Sequence, residues 1–140
     1  MNFSTLFRIG ENLNLDRKTL INLRWIALLG QFISVNFVYF YLNLIFPITL
    51  TFLIILIGFT TNLYLQFKIK VSELKDFYAA SFLLYDLVQL SLLLYLTGGI
   101  SNPFSILLII PTIVSSTFLS MGTTIILGII TIACLFLLTI

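Results

Sequence analysis

The stretch YLTGGISNPFSILL, residues 95–108, separates two long apolar runs and holds two glycines, an asparagine and a proline within six positions. Glycine often takes the left-handed conformation that ends a helix. Asparagine often caps the helix that follows, and proline suits a first helical position, where no backbone donor is needed. The stretch therefore predicts a helix that stops at Gly98 or Gly99, a cap at Asn102, and a new helix that starts at Pro103.

On both sides of this turn the chain consists of apolar runs. Of its 140 residues, 60% are hydrophobic and 9% are charged, which is far too little polar surface for a soluble domain. A helix needs about 20 apolar residues to cross a hydrocarbon core of about 30 Å. We predict an all-α, polytopic helix bundle in a lipid bilayer, with five transmembrane spans at residues 23–42, 44–65, 77–96, 104–119 and 123–140.

The seven basic residues fall in two clusters, which predict how the chain is oriented. Loops rich in Lys and Arg stay cytoplasmic, and two predicted spans separate the clusters, so we expect both on the cytoplasmic side. This gives a cytoplasmic segment at residues 1–22, a candidate interfacial helix at residues 16–23, and Arg24 at the interface. Because basic residues flank apolar spans instead of forming an aromatic-interleaved patch, we predict no nucleic-acid partner. The clusters are Arg8, Arg17, Lys18 and Arg24, then Lys68, Lys70 and Lys75.

The residue types that are missing exclude several kinds of chemistry. The chain has no histidine and a single cysteine, Cys134. Histidine acid–base catalysis, a histidine-ligated metal and a phospho-accepting histidine are therefore excluded within these residues, as is a disulfide framework. The last apolar run reaches Ile140 with no polar tail, so we expect the intact protein to continue beyond it.

Asp86 is a charged residue near the middle of the third predicted span. An aspartate at that depth costs roughly 2.5–3.5 kcal/mol on insertion scales, so such residues usually face the bundle interior. Gln89 follows at i+3, and Tyr85 lies on a neighbouring row of the same helix. Two interpretations stay open. The carboxyl group is either a proton-accepting or signal-transmitting group, or it fixes the bundle through a hydrogen bond to Gln31, Asn36 or Gln89.

Small and hydroxyl-bearing residues recur at helical spacing in three other spans, as is usual where membrane helices pack together. We interpret them as packing faces. Pro111 lies inside the fourth span, where it removes one backbone donor and predicts a kink. The three stripes are Ala27, Gly30, Gln31 and Ser34; Ser105, Thr112, Ser116 and Ser120; and Thr124, Gly128 and Thr131.

The turn at residues 98–104 has a second interpretation besides a helix stop and start. Its backbone N–H groups point toward the membrane interface, and the helix dipole favours negative charge there. Asn102 adds a side-chain donor, and Tyr95 and Phe104 offer aromatic rings. A lipid-soluble quinone needs a hydrophobic slot with a few donors for its carbonyls. The turn is compatible with such a site, although this chemistry alone is not specific for one.

The segment YDLVQLSLLLYLTGGISNPFSILL, residues 85–108, resembles the third and fourth membrane helices of the RegB/PrrB-type redox-sensing histidine kinases. That family carries a G-G-x-x-N-P-F motif in this turn. The segment LRWIALLGQ, residues 23–31, resembles the family's entry into its first span. The resemblance covers most of the chain, with five of the family's six membrane helices. The motif is matched by Gly98, Gly99, Asn102, Pro103 and Phe104.

The resemblance implies that the chain is the transmembrane sensor portion of a kinase in a bacterial plasma membrane. In this family the membrane domain senses the redox state of the ubiquinone pool, and the motif is implicated in quinone binding. It also implies a homodimer, an ATP-dependent kinase part outside these residues, and phosphotransfer to a response regulator. From the residues alone, the alternatives are a non-catalytic membrane anchor, a small transporter and a subunit of a quinone-linked enzyme.

Overall fold

The computed structural model describes residues 15–140, and these residues form a bundle of helices without a β-strand. The all-α prediction is therefore confirmed. Residues 1–14, with Arg8 and most of the predicted N-terminal segment, lie outside the described residues. Short 3₁₀ helices, Gly99–Ser101 and Pro103–Ile109, lie between the third and fourth α-helices. The α-helices are α1 (Arg17–Phe40), α2 (Ile48–Phe67), α3 (Asp76–Leu96), α4 (Ile110–Phe118) and α5 (Met121–Leu138).

Four of these helices, α1, α2, α3 and α5, are long and apolar enough to cross a membrane. The fourth predicted span is a shorter apolar helix, Pro103–Phe118, whose first seven residues are 3₁₀. A 3₁₀ helix rises more per residue than an α-helix, so this segment is roughly 28 Å long, close to the hydrocarbon thickness. The length and composition of these helices are those of a multi-pass membrane protein.

The predicted kink at Pro111 takes the form of a change in helix type. The N–H of Ile110 donates to the carbonyl of Leu107, as in a 3₁₀ helix. Pro111 has no N–H with which to form the α-helical bond to the same carbonyl. The α-helical part begins at Ile110, so the proline lies where the two helix types meet.

Residues 17–23 of the predicted interfacial helix are helical, but they form the first turns of α1, which continues without a break from Arg17. The reason is an unbroken 3.6-residue period of buried positions, which begins before the apolar run and gives one inward face. The opposite face carries large apolar side chains that are exposed, as expected for a surface in lipid. The buried positions are Leu20, Ile21, Arg24, Leu28, Gln31, Val35 and Val38.

At the end of the bundle where α1 begins, the chain is tied to the loop between α2 and α3. The N–H of Arg17 donates to the carbonyl of Ser72 over 3.0 Å. The Arg17 guanidinium donates to three carbonyls at and just after the C-terminal end of α2, where the last helical carbonyls lack partners and carry the negative end of the helix dipole. These carbonyls belong to Leu65, Gln66 and Ile69, at 3.5, 3.0 and 2.5 Å.

The same end holds a clamp between α3 and the turn that joins α4 to α5. The carboxylate of Asp76 accepts hydrogen bonds from the N–H of Ser120 over 2.8 Å and from its hydroxyl over 3.0 Å. It also accepts one from the hydroxyl of Thr123. The Ser120 hydroxyl in turn caps α5. Asp76 therefore ties the first turns of α3 and α5 together.

The hydroxyl stripes on α4 and α5, interpreted from the sequence as packing faces, face each other. The hydroxyl groups of Thr112 and Thr131 lie 2.8 Å apart, and those of Ser115 and Thr124 lie 3.0 Å apart. The expected member Ser116 is exposed and bonds to its own helix instead. Two hydroxyl pairs therefore join the two helices, and Ser115 takes the position that the sequence predicted for Ser116.

Candidate functional site

The turn after α3 is a helix stop and a helix start, as predicted. Gly98 and Gly99 both have positive φ, at 118° and 60°, which is the conformation that glycine tolerates best. The side chain of Asn102 accepts a hydrogen bond from the N–H of Phe104 over 2.9 Å, and Pro103 occupies the first position of the new helix. The cap prediction is confirmed in each of these features.

Both the oxygen and the nitrogen of the Asn102 side-chain amide form hydrogen bonds within the turn. Its Nδ2 donates to the hydroxyl of Thr97 over 2.8 Å and to the carbonyl of Thr97 over 3.2 Å. An amide nitrogen has two hydrogens, so both are used, and the residue is only 3% exposed. The donor that the sequence suggested for a quinone carbonyl is therefore engaged inside the turn.

The turn packs closely against two other parts of the bundle. A Cβ placed on Gly99 would lie 2.9 Å from the carbonyl oxygen of Leu138 at the end of α5. A Cβ on Gly98 would lie 3.4 Å from Leu44, which belongs to the loop between α1 and α2. The Phe104 ring meets Phe37 of α1 edge-on, with centroids 6.1 Å apart. Movement of this turn would therefore change its contacts with Phe37 of α1 and with Leu138 of α5.

A small apolar cavity lies behind the turn, between α1, α3 and the 3₁₀ segment. Its volume is about 20 Å³, which is room for about one water molecule. A quinone ring needs more space, so a ligand here requires the turn to open. Its walls include Gln31, Leu90, Thr97, Asn102, Phe104 and Leu107.

Deeper in the bundle, Arg24 of α1 forms an ion pair with Asp86 of α3. The Nε and Nη2 atoms of Arg24 each lie 3.0 Å from Oδ1 of Asp86. Nη2 also donates to the hydroxyl of Thr61 over 3.0 Å, and that hydroxyl donates to the carbonyl of Gly58. The ion pair and its threonine thus connect α1, α2 and α3.

This pair corrects one sequence prediction. Arg24, whose position at the membrane interface stays a prediction, is only 3% exposed and lies two turns inside α1. Asp86 was expected to bond to Gln31, Asn36 or Gln89, and its partner is Arg24 instead. The physical reason is that a buried carboxylate is stabilised far better by an opposite charge than by a neutral amide.

Two aromatic rings cover the guanidinium of Arg24. Its Cζ lies 5.2 Å from the centroid of Phe82 and 5.7 Å from that of Tyr85, within the range of cation–π attraction. Nη1 is fully buried and has no hydrogen-bond partner among the described residues, so the aromatic faces partly compensate this atom. Tyr85, expected to belong to the polar stripe, contributes its ring to the site.

A second polar layer lies about two turns of α1 further from the basic end. Gln89 donates from Nε2 to Oε1 of Gln31 over 2.9 Å, and both residues are buried. A Cβ on Gly58 of α2 would come within 2.5 Å of the Gln89 amide and 2.8 Å of Leu28. Only a glycine leaves room for this amide pair. Asn36 makes no part of this layer and bonds to the carbonyl of Phe32.

A larger groove opens beside the ion pair, between α1, α3 and the segment that contains Pro111. Its volume is about 240 Å³. Ala27 and Gly30, expected to pack against another helix, line it, and a Cβ on Gly30 would meet nothing within 4 Å. The groove shares the walls Gln31, Leu90 and Leu107 with the small cavity behind the turn. The cavity behind the turn and the groove beside the ion pair therefore adjoin at these three side chains.

Most of the chain is similar to a known protein. The chain is 40% identical over 119 residues to the sensor histidine kinase RegB of Cereibacter sphaeroides. The aligned region is of the RegB type. It covers 84% of this chain and 26% of the relative, so the chain corresponds to a small part of that protein's length. No protein-family model and no solved structure matches the chain.

Within this RegB-type region, sequence reasoning missed Arg24, Thr61 and Gly58 as members of the polar layers. For Arg24 a signal exists, because it lies seven residues before Gln31 and therefore on the same face of α1. It was grouped with the basic flank because its charge matched that cluster. Gly58 and Thr61 carry no signal of this kind, since small residues are common throughout membrane helices.

Proposed function

We propose that this RegB-type region is the membrane sensor of a two-component histidine kinase and responds to ubiquinone at the turn formed by residues 98–104. The signal controls autophosphorylation with ATP and phosphotransfer to a response regulator by a cytoplasmic kinase part of the intact protein. The sequence similarity to a sensor histidine kinase supports the kinase class. The observation that carries the site is that Asn102 and Phe104 border an apolar cavity that shares three wall residues with a larger groove.

A ligand at the turn has a direct route to the rest of the bundle. Widening a cavity of about 20 Å³ to admit a ring moves Phe104 and the 3₁₀ segment away from α3. That segment continues into α4, whose far end is held by the Asp76 clamp on Ser120. Occupancy at the turn is therefore transmitted along α3 and α4 to the end where the basic residues lie.

The proposed membrane is the bacterial plasma membrane, with the N-terminus in the cytoplasm. The basic residues Arg17, Lys18, Lys68, Lys70 and Lys75 belong to the ends of α1, α2 and α3 that lie together. The positive-inside rule assigns this end to the cytoplasm. The quinone turn then lies on the opposite side, and the signal travels across the membrane to the kinase part. A homodimer is the proposed assembly.

Photoaffinity labelling tests the position of the site. The chain is reconstituted in phospholipid nanodiscs with a photoreactive short-chain ubiquinone, and labelled peptides are mapped by mass spectrometry. We expect labels within residues 97–108 that excess ubiquinone removes. Labels spread over the exposed apolar faces of α1, α2 and α5, unaffected by excess ubiquinone, contradict the assignment.

One observation favours a second candidate, a membrane anchor without a ligand. The amide of Asn102 is fully engaged and the cavity behind it is small, so the turn is complete as a helix cap. In an anchor, substitutions in the turn change stability alone, and ubiquinone protects no part of the chain from labelling. The labelling experiment therefore separates the two candidates.

A further inference from the structure

The geometry points to a second ligand site in the groove beside Asp86, which binds a neutral, hydroxyl-bearing ring and therefore takes the reduced quinol in preference to the oxidised quinone. The quinone class of this ligand rests on the proposed function. The site itself rests on three observations: an unused carboxylate oxygen, an unused amide donor, and an apolar groove of sufficient volume between them.

The first observation is that only one of the two carboxylate oxygens of Asp86 accepts hydrogen bonds from described residues. Both contacts from Arg24 go to Oδ1, and no described residue donates a hydrogen bond to Oδ2. The Asp86 side chain is 18% exposed and lines the groove. An ionised carboxylate only accepts hydrogen bonds, so the ligand atom that completes Oδ2 must be a donor.

The second observation concerns Gln31, which lines the same groove. Its Oε1 accepts from Gln89, while its Nε2 donates to none of residues 15–140. This N–H₂ is therefore available to donate a hydrogen bond to a ligand oxygen in the groove. The groove therefore offers one acceptor on α3 and one donor on α1.

The third observation is the size and charge of the groove. Its volume of about 240 Å³ exceeds the roughly 150 Å³ that holds a benzene ring in an engineered apolar cavity, so a substituted ring fits. Arg24 and Asp86, the charged residues of its lining, compensate each other, which favours a neutral ligand. The remaining walls are mostly aliphatic and include Leu20, Leu23, Ile26, Leu83, Ile110 and Val114.

These features together discriminate between redox states. A quinol hydroxyl donates to Asp86 Oδ2, and its second oxygen accepts from Gln31. An oxidised quinone has no hydroxyl, so it leaves the carboxylate oxygen unpaired. The groove has an entrance on the outer surface of the bundle, because Ile26 is 67% exposed and nothing packs on Gly30. A lipid-soluble ligand enters there without crossing water.

The test compares a short-chain ubiquinol with the matching ubiquinone on the chain in nanodiscs, under anaerobic conditions. Gly30→Leu fills the groove without touching the ion pair. Its matched control is Gly122→Leu, at a second glycine where a Cβ meets nothing within 4 Å. Gly30→Leu should weaken ubiquinol binding at least about tenfold, the loss of one charge-assisted hydrogen bond, and spare ubiquinone binding. Gly122→Leu should change neither.

Asp86→Asn provides a second variant, with Gly30→Leu as the safeguard if the loss of charge prevents folding. It should weaken ubiquinol binding and spare ubiquinone binding. Unchanged ubiquinol affinity in Gly30→Leu overturns the site, and so does an equal loss of both ligands. A change of oligomeric state in Gly30→Leu with ubiquinol affinity intact also overturns it, because the groove is then a helix contact. Ubiquinone binding that ignores Phe104→Ala counts instead against the proposed turn site, so the two failures are distinguishable.

Discussion

Arg24 on α1 and Asp86 on α3 meet inside the bundle at 3.0 Å, although 62 residues separate them in sequence. This contact places a buried ion pair next to a groove of about 240 Å³ that both residues line. It also joins α1, which begins at the basic end of the bundle, to α3, which ends at the turn formed by residues 98–104. The ion pair is therefore positioned to couple the two ends of the bundle.

The first prediction concerns the stability of this pair. Asp86→Leu leaves the Arg24 charge buried without a partner, which costs about 3–5 kcal/mol in comparable cases. Arg24→Met combined with Asp86→Leu removes both charges and should restore most of that loss. Thermal unfolding in detergent measures both variants. A double variant as unstable as the single one would show that the pair contributes more than charge compensation.

The second prediction concerns the contact between Gly58 and Gln89. Gly58→Leu forces side-chain atoms into the buried amide pair, and such overpacking typically costs about 1–3 kcal/mol. Gly30→Leu is the matched control, because the same side chain enters open space there. We expect a clear fall in the unfolding temperature for Gly58→Leu and little change for Gly30→Leu. Equal effects at the two positions would argue against the packing described for α2.

The third prediction separates the structural role of Asn102 from a ligand role. Asn102→Ala removes the cap on Phe104, which costs about 1 kcal/mol at typical caps, and releases Thr97 as well. Thr97→Val removes the hydroxyl that accepts from Asn102 and keeps the carbonyl contact. Hydrogen exchange at the amide of Phe104 should accelerate strongly in Asn102→Ala and more weakly in Thr97→Val. Unaltered exchange in Asn102→Ala would contradict the cap.

The fourth prediction concerns orientation. In a Cys134→Ala background, Lys70→Cys and Ser101→Cys each place one thiol in an exposed loop at opposite ends of the bundle. A membrane-impermeant maleimide applied to intact cells should label the cysteine at position 101 and spare the one at position 70. Permeabilised cells serve as the control for reactivity. The reverse pattern would place the N-terminus outside the cytoplasm.

The sequence was sufficient for the helical class and for the turn. Apolar runs of membrane-spanning length have few alternatives in lipid, and the glycine, asparagine and proline of residues 98–103 each have strong local preferences. The fourth span was predicted as an ordinary helix, since nothing local to residues 103–109 favours 3₁₀ over α geometry. The segment packs against α3 and α5, and these tertiary contacts cannot be inferred from the local sequence.

The partners of polar residues were much harder to predict. Gln31 and Gln89 were correctly assigned to the bundle interior, but the ion pair of Asp86 was missed because Arg24 carried two plausible roles. A basic residue near the start of a span serves equally as a flanking anchor or as a buried counter-ion. The rotation of the helix about its own axis decides which of these two roles the residue has. That rotation is fixed by contacts between residues far apart in sequence.

Ubiquinone binding by Phe104→Ala tests the central claim most directly. Phe136→Ala is the matched control, because Phe136 lies on α5 and is 67% exposed. Equilibrium binding is measured for both variants and for the unaltered chain in nanodiscs, with Asn102→Ala as a second turn variant. The account predicts weaker ubiquinone binding in Phe104→Ala and Asn102→Ala and unchanged binding in Phe136→Ala. Affinity that stays the same in both turn variants would contradict a quinone site at the turn.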